Sequence, residues 1–161
     1  MIARLAYTAL WYLGAPLIAL RLAWRARKQP EYLHHLGERI GRYPRRKGNA
    51  PLIWLHAVSV GETRAAQPLV RALLARFPHH ELLLTQMTPT GRATAHELYG
   101  NEVRVHVAYL PYDTPGCVAR FMRHFRPSLG LLMETEVWPN LIAGARRANV
   151  PIALVLTLIH I

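Results

Sequence analysis

A chain of 161 residues is long enough for one domain with a substantial core, but too short for two full α/β domains. It is 52% hydrophobic, carries a formal net charge of +11, and has one cysteine, Cys117, which excludes a disulfide framework or a cysteine-based metal cluster within it. The charge is lopsided: residues 1–50 hold ten Lys/Arg against Glu31 and Glu38, and the remainder holds ten against seven, a distribution that favours contact with anionic lipid over a nucleic-acid groove.

Leu5 to Leu20 contains no charge and is rich in Leu, Ala, Tyr and Trp, with Arg4 before it and Arg21, Arg25, Arg27 and Lys28 after it. Residues 1–28 therefore read as a membrane-anchor helix. The apolar run is slightly short for the roughly 20 residues of a straight span, though Arg4 and Arg21 could snorkel. Spanning, lying in the interface and packing as a soluble helix are all open. A signal peptide fits less well, because the main positive cluster comes after the apolar run and no small-residue cleavage site is evident. If the helix spans, that cluster places the rest of the chain in the cytoplasm. Residues 29–50, basic and broken by Gly41, Pro44 and Gly48, form a linker that either holds phosphorylated headgroups or is a solvated connector.

From Pro51 the chain alternates short apolar runs with helical patterns. Strands are expected at Leu52 to Val58, Glu81 to Gln86, Val103 to Tyr109, Leu129 to Met133 and Pro151 to Val155. The fold class is α/β, a Rossmann-like parallel sheet with helices on both faces, over residues 51–155. Thr88-Pro89 and Trp138-Pro139-Asn140 mark helix starts. Cys117 falls in an apolar helical pattern with Val118 and Phe121 and reads as a small core residue.

Right-handed crossovers put every strand's carboxyl end on one edge, where α/β sheets bind ligands. Ser59, Gly61 and Glu62 come after the first strand there, Thr88, Gly91 and Arg92 after the second, Tyr112 and Asp113 after the third, and Glu134 and Glu136 after the fourth. Ser59-Val60-Gly61-Glu62 matches a capping box, in which hydroxyl and carboxylate each accept a backbone N–H; the same Glu62 could instead accept a proton from an attacking hydroxyl. Gly61 would let a substrate approach the turn closely. Glu134 and Glu136 either orient an acceptor or Glu62 itself, or complement a helix dipole. Thr88 to Arg92 could offer amides and a guanidinium to an anion, or could be a helix cap with a surface arginine. His56 reads as a hydrogen-bonded core residue. The nine histidines show no metal-ligand spacing, so no metal and no cofactor are expected.

Together, four ordered motifs resemble the N-terminal half of a Kdo transferase, the membrane-associated enzyme that adds 3-deoxy-D-manno-octulosonic acid to a lipid A precursor. They are His56-Ala57-Val58-Ser59-Val60-Gly61-Glu62, Leu84-Thr85 with Met87-Thr88-Pro89-Thr90-Gly91, Leu110-Pro111-Tyr112-Asp113, and Met133-Glu134-Thr135-Glu136-Val137-Trp138-Pro139-Asn140. The resemblance implies the acceptor-binding N-terminal domain of a GT-B glycosyltransferase at the cytoplasmic face of the inner membrane, with lipid A precursor as acceptor and CMP-Kdo as donor bound mainly by a second domain. It implies Glu62 as general base, with Glu134 and Glu136 shaping the acceptor site. By charge and position, Arg64 and Arg92 are candidates for the acceptor's phosphates. The competing expectation is a non-enzymatic, membrane-bound module for anionic lipids. Residues 156–161, Leu-Thr-Leu-Ile-His-Ile, depart from the family's pattern after the fifth strand. They read as an out-of-pattern tail on a truncated half that is inactive alone.

Overall fold

A computed structural model describes residues 2–46, 48–134 and 137–155. Glu136 and the expected tail at 156–161 lie outside the described residues. The order of elements is α1 (Ile2–Ala26), a 3-10 turn (Pro30–Leu33), α2 (Leu36–Arg39), β1 (Leu52–His56), α3 (Val60–Ala65), α4 (Gln67–Arg76), β2 (Glu81–Gln86), α5 (Pro89–Tyr99), β3 (Val105–Tyr109), α6 (Pro115–Phe125), β4 (Leu129–Met133), α7 (Pro139–Arg147) and β5 (Ile152–Val155).

The five strands form one parallel sheet in the order β3-β2-β1-β4-β5. Strands of such a sheet are buried on both faces, which is why Leu52 to His56 is buried at every position. Leu52 and Trp54 face α6 and α7, packing with Leu83, Leu132, Phe121 and Leu141. Ile53 and Leu55 point the other way, onto Val70, Leu73, Ala95 and Tyr99 of α4 and α5. Trp54 stands edge-on to Phe121 with ring centroids 5.0 Å apart, and donates its indole N–H to the Thr85 hydroxyl at 2.8 Å. Its neighbour in β4 is Gly130, where an added Cβ would sit 2.8 Å from the indole ring. Only a residue without a side chain leaves room for Trp54.

Three strand boundaries differ from expectation, the smallest at β5, which starts at Ile152 because Pro151 has no N–H to give the ladder. β3 starts at Val105 because Val103 and Arg104 are drawn into a turn: the Val105 N–H bonds back to the Glu102 carbonyl, and Arg104 bonds to the Leu74 and Pro78 carbonyls. β1 ends at His56, after which one bond from Ala57 to the Thr85 carbonyl closes the ladder and the chain turns into α3. The marked helix starts are where they were expected. Thr88 accepts from the Gly91 N–H at 3.0 Å, and Pro139 opens α7. Cys117 is buried on α6.

The apolar helix α1 is present at the N-terminus and runs through Pro16. It rests on the domain by a narrow stripe. Thr8 and Asn140 exchange hydrogen bonds at 3.1 and 3.3 Å, and the Trp11 and Tyr112 rings lie 5.7 Å apart. At the other end Ala26 is buried and Arg25 donates to the Tyr32 hydroxyl.

Candidate active site

In this strand order the direction of winding reverses between β1 and β4. α3, α4 and α5 cover one face, and α6 and α7 cover the other. The crevice at the carboxyl ends of those two strands is the topological switch point at which doubly wound sheets bind ligands.

Ser59 sits at the mouth of this crevice in extended conformation and caps α3, its hydroxyl accepting from the Glu62 N–H at 3.4 Å. The Glu62 carboxylate folds back over the same turn. One oxygen accepts the Val58 N–H at 2.8 Å and the other accepts the Ser59 hydroxyl at 2.9 Å. This is a variant capping box, closed on the residue before the cap. Thr63 fixes the turn from below, donating to the Ser59 carbonyl at 2.7 Å, with its hydroxyl 3.1 Å from the Gln86 amide. Gly61 is exposed above it.

The loop after β2 is drawn against this turn. The Met87 N–H and the Thr88 hydroxyl both reach the Val58 carbonyl at 3.5 Å. A Cβ on Gly91 would lie 2.8 Å from the Gln86 amide oxygen, 3.0 Å from the Thr88 hydroxyl and 3.2 Å from the Val58 carbonyl, so the close approach of the two loops requires glycine. Ser59, Gly61, Glu62, Thr88 and Gly91 thus lie on adjoining loops. Glu134 flanks them at the end of β4, with a left-handed backbone (φ 55°) and its N–H bonded to the Val155 carbonyl. For a non-glycine residue that conformation is uncommon, and such strain gathers at functional sites.

The two arginines on the same elements turn elsewhere. Arg64 reaches Glu97 of α5 at 3.6 Å across the surface. Arg92 forms a two-pronged pair with Glu38 of α2 at 2.5 and 3.3 Å, and its guanidinium lies over the Tyr109 ring. Glu38 also accepts the Tyr109 N–H at 2.7 Å and lies 3.5 Å from the His35 ring. Beside this pair Arg39, 3% exposed, stacks 4.0 Å from the Tyr109 centroid and donates to the Met87 carbonyl. Arg92 could reach a phosphate only by sharing itself with Glu38.

His56 ends β1 beneath the crevice, fully buried, with Nδ1 2.9 Å from the Thr85 hydroxyl and 3.1 Å from its carbonyl. Burial pulls its pKa down from 6.5 to about 4, against a smaller opposing effect of the Thr85 carbonyl, so the ring is neutral at physiological pH. Asp113 is also fully buried. It accepts the Asn140 N–H at 3.0 Å and bonds Tyr7 of α1, while its carbonyl takes the Asn140 side-chain amide at 2.8 Å. Burial raises its pKa, and these hydrogen bonds partly oppose the rise. Sequence placed Asp113 on the rim without a role, and gave none to Glu38 or Arg39. The signals that could have found them are a carboxylate in a Pro-Tyr-Asp turn and an acid-base pair inside an otherwise basic segment. Among the described residues no group of histidines, cysteines and acids could hold a metal ion.

A five-stranded parallel sheet whose winding reverses between β1 and β4, with carboxylates on the loops at that crevice, defines the class: a Rossmann-like α/β domain. Residues 34–159 match the family model described as 3-deoxy-D-manno-octulosonic-acid transferase (kdotransferase), and the chain belongs to that family. It is 50% identical to the 3-deoxy-D-manno-octulosonic acid transferase of Bordetella pertussis over 149 residues, covering 88% of this chain and 34% of the relative. The Haemophilus influenzae transferase is 39% identical over 94% of this chain and 35% of its own length. A probable mitochondrial transferase of Arabidopsis thaliana is 36% identical, with 92% and 33% covered. The chain spans about a third of the length of these relatives.

Proposed function

We propose that residues 1–161 are the acceptor side of a Kdo transferase of GT-B architecture, which moves Kdo from CMP-Kdo to a hydroxyl of a lipid A precursor at the cytoplasmic face of the inner membrane, in lipopolysaccharide core biosynthesis. The observation that carries this reading is the Glu62 carboxylate at the mouth of the β1/β4 crevice, held by the Val58 N–H and the Ser59 hydroxyl. In the reaction Glu62 accepts the proton of the acceptor hydroxyl as its oxygen bonds to the anomeric carbon of Kdo. The bond from that carbon to the phosphate of CMP breaks with inversion, and CMP leaves with the electron pair. Thr88 and Gly91 border the sugar, Ser59 and Gly61 leave room for it, and Glu134 and Glu136 orient it. Arg64 and Arg92 serve the phosphates, Arg92 by sharing its fork with Glu38. Without a donor-binding half to orient CMP-Kdo, these residues bind acceptor but complete no transfer.

In this chain joined to the donor-binding half of a relative, Glu62→Gln should lower transfer about 10²–10⁴-fold while lipid A precursor still binds. Ser59→Ala, which removes the cap and keeps the carboxylate, should cost about 1 kcal/mol of stability and less than tenfold in rate. Near-normal turnover by folded Glu62→Gln would reduce Glu62 to a cap.

The second reading, a binding module without chemistry, is favoured by the engagement of that carboxylate in its own helix start. Selective binding of lipid A precursor over phosphatidylglycerol, measured in matched vesicles, separates the two: a transferase half discriminates and a generic anionic-lipid module does not.

A further inference from the structure

α1 is assembled inside out for a helix packed on a soluble domain. The less exposed positions of α1 recur at helical spacing, at Tyr7, Thr8, Trp11, Ile18, Leu22 and Ala26, and contacts with the domain are made near its two ends. Polar groups of α1 face inward: the Thr8 hydroxyl meets Asn140 and the Tyr7 hydroxyl meets Asp113. Leucines face out, with Leu5 59% exposed, Leu13 77% and Leu20 68%, alongside exposed Leu10, Leu17 and Trp24. An apolar surface of this extent on one helix needs a partner that is itself apolar.

Both ends of the helix are held. Residues 7–11 touch α7 and the loop after β3, while Ala26 and Arg25 are fixed beside the 3-10 turn. At 1.5 Å per residue, Thr8 to Ala26 is about 27 Å long. That nearly equals the roughly 30 Å of bilayer hydrocarbon. A helix crossing that hydrocarbon would carry Thr8 to the far leaflet, together with the buried Asp113 and Asn140 at the rim of the sheet, or would tear it from them. Cations mark both ends as well. Arg4 shares a surface depression with Arg146 and Arg147 of α7, and Arg21, Arg25, Arg27 and Lys28 cluster at the other end.

We infer that α1 lies flat in the headgroup–acyl boundary of an anionic bilayer, with the exposed leucines toward the lipid and the Tyr7 and Thr8 hydroxyls on the domain, and does not cross. This rests on the membrane placement proposed above. It adds the geometry: a one-leaflet anchor that holds the β1/β4 crevice at a fixed height over the headgroups.

The test uses the full chain with Cys117→Ala, single cysteines in place of Leu5, Leu13 and Leu20 carrying nitroxide labels, and vesicles of phosphatidylethanolamine with phosphatidylglycerol. Depth measured by spin relaxation should be the same for all three labels and shallow, about 5–10 Å below the headgroups. A Leu13 label near the midplane, with Leu5 and Leu20 labels toward opposite surfaces, overturns the inference and leaves membrane binding intact. In a second measurement, Thr8→Cys with Asn140→Cys should form a disulfide in the vesicle-bound protein. Bound protein without that crosslink, and with intact far-ultraviolet circular dichroism, also overturns it. Failure to float with the vesicles at all removes the membrane placement itself, and the flat anchor with it.

Discussion

Trp138, at the cap position of α7, makes no side-chain hydrogen bond to the helix start. The first N–H groups of α7 are met by Asp113, a residue in the loop after β3. A helix start needs an acceptor there, and one supplied by a buried carboxylate is harder to replace by water than one at the surface. Asp113→Ala should therefore destabilise the protein by about 2 kcal/mol in urea unfolding, more than an ordinary cap loss. Asp113→Asn should recover part of it. The turn around Asp113 was legible in Leu110-Pro111-Tyr112-Asp113, but its partner was not: the bond joins two segments that no local pattern relates. His56 was legible as a core histidine because apolar residues flank it. Its folded pKa of about 4 lies below the ordinary 6.5, so between those values the unfolded chain binds the proton that the folded one refuses. The stability tied to this ring is complete above pH 6.5 and falls as pH drops toward 4, by up to about 3 kcal/mol. Chemical denaturation of wild type and His56→Gln from pH 7 to 4.5 should give a difference that shrinks with acidity; a constant difference would show that His56 does not carry the slope.

Among the elements, α2 has only four residues and no side-chain cap, and local propensity does not explain it. It persists because Glu38 reaches into the domain and is gripped by Arg92 of α5 and by the backbone of β3. With both side chains mostly buried (12% and 8% exposed), loss of one partner strands the other. Arg92→Ala should cost about 3 kcal/mol in unfolding free energy. Arg92→Lys, which keeps the charge but not the fork, should recover only part. A small loss for Arg92→Ala would mean that water satisfies Glu38 and that Arg92 is free for a ligand. The sequence offers Arg92 either as an anion contact or as a surface residue beside a cap. The ion pair is neither, because Glu38 lies in a segment whose composition reads as linker. Helix starts, by contrast, were legible at Thr88 and Pro139, where one residue's chemistry decides the matter.

Across the whole molecule, the alternation of apolar runs with helical patterns sufficed for a parallel sheet with both faces covered, since strands buried on both faces read as short continuous apolar runs between helices. The strand order was not in that pattern. It depends on which helices cover which face, and it brings the Glu62 turn and Glu134 to one crevice though they stand 72 positions apart in sequence. The neighbouring β2 loop was readable as Thr-Pro-Thr-Gly, yet the reason for its glycine, three oxygens converging on one Cα, exists only in three dimensions. The fixing of Glu38 also decides how the molecule can come apart. A segment rich in arginine, glycine and proline would ordinarily be a hinge, open to proteases and free to swing. Here residues 38 and 39 are sealed in, so a trypsin cut after Arg39 has to wait for the protein to unfold, whereas exposed Arg27 and Lys28 stay open to it.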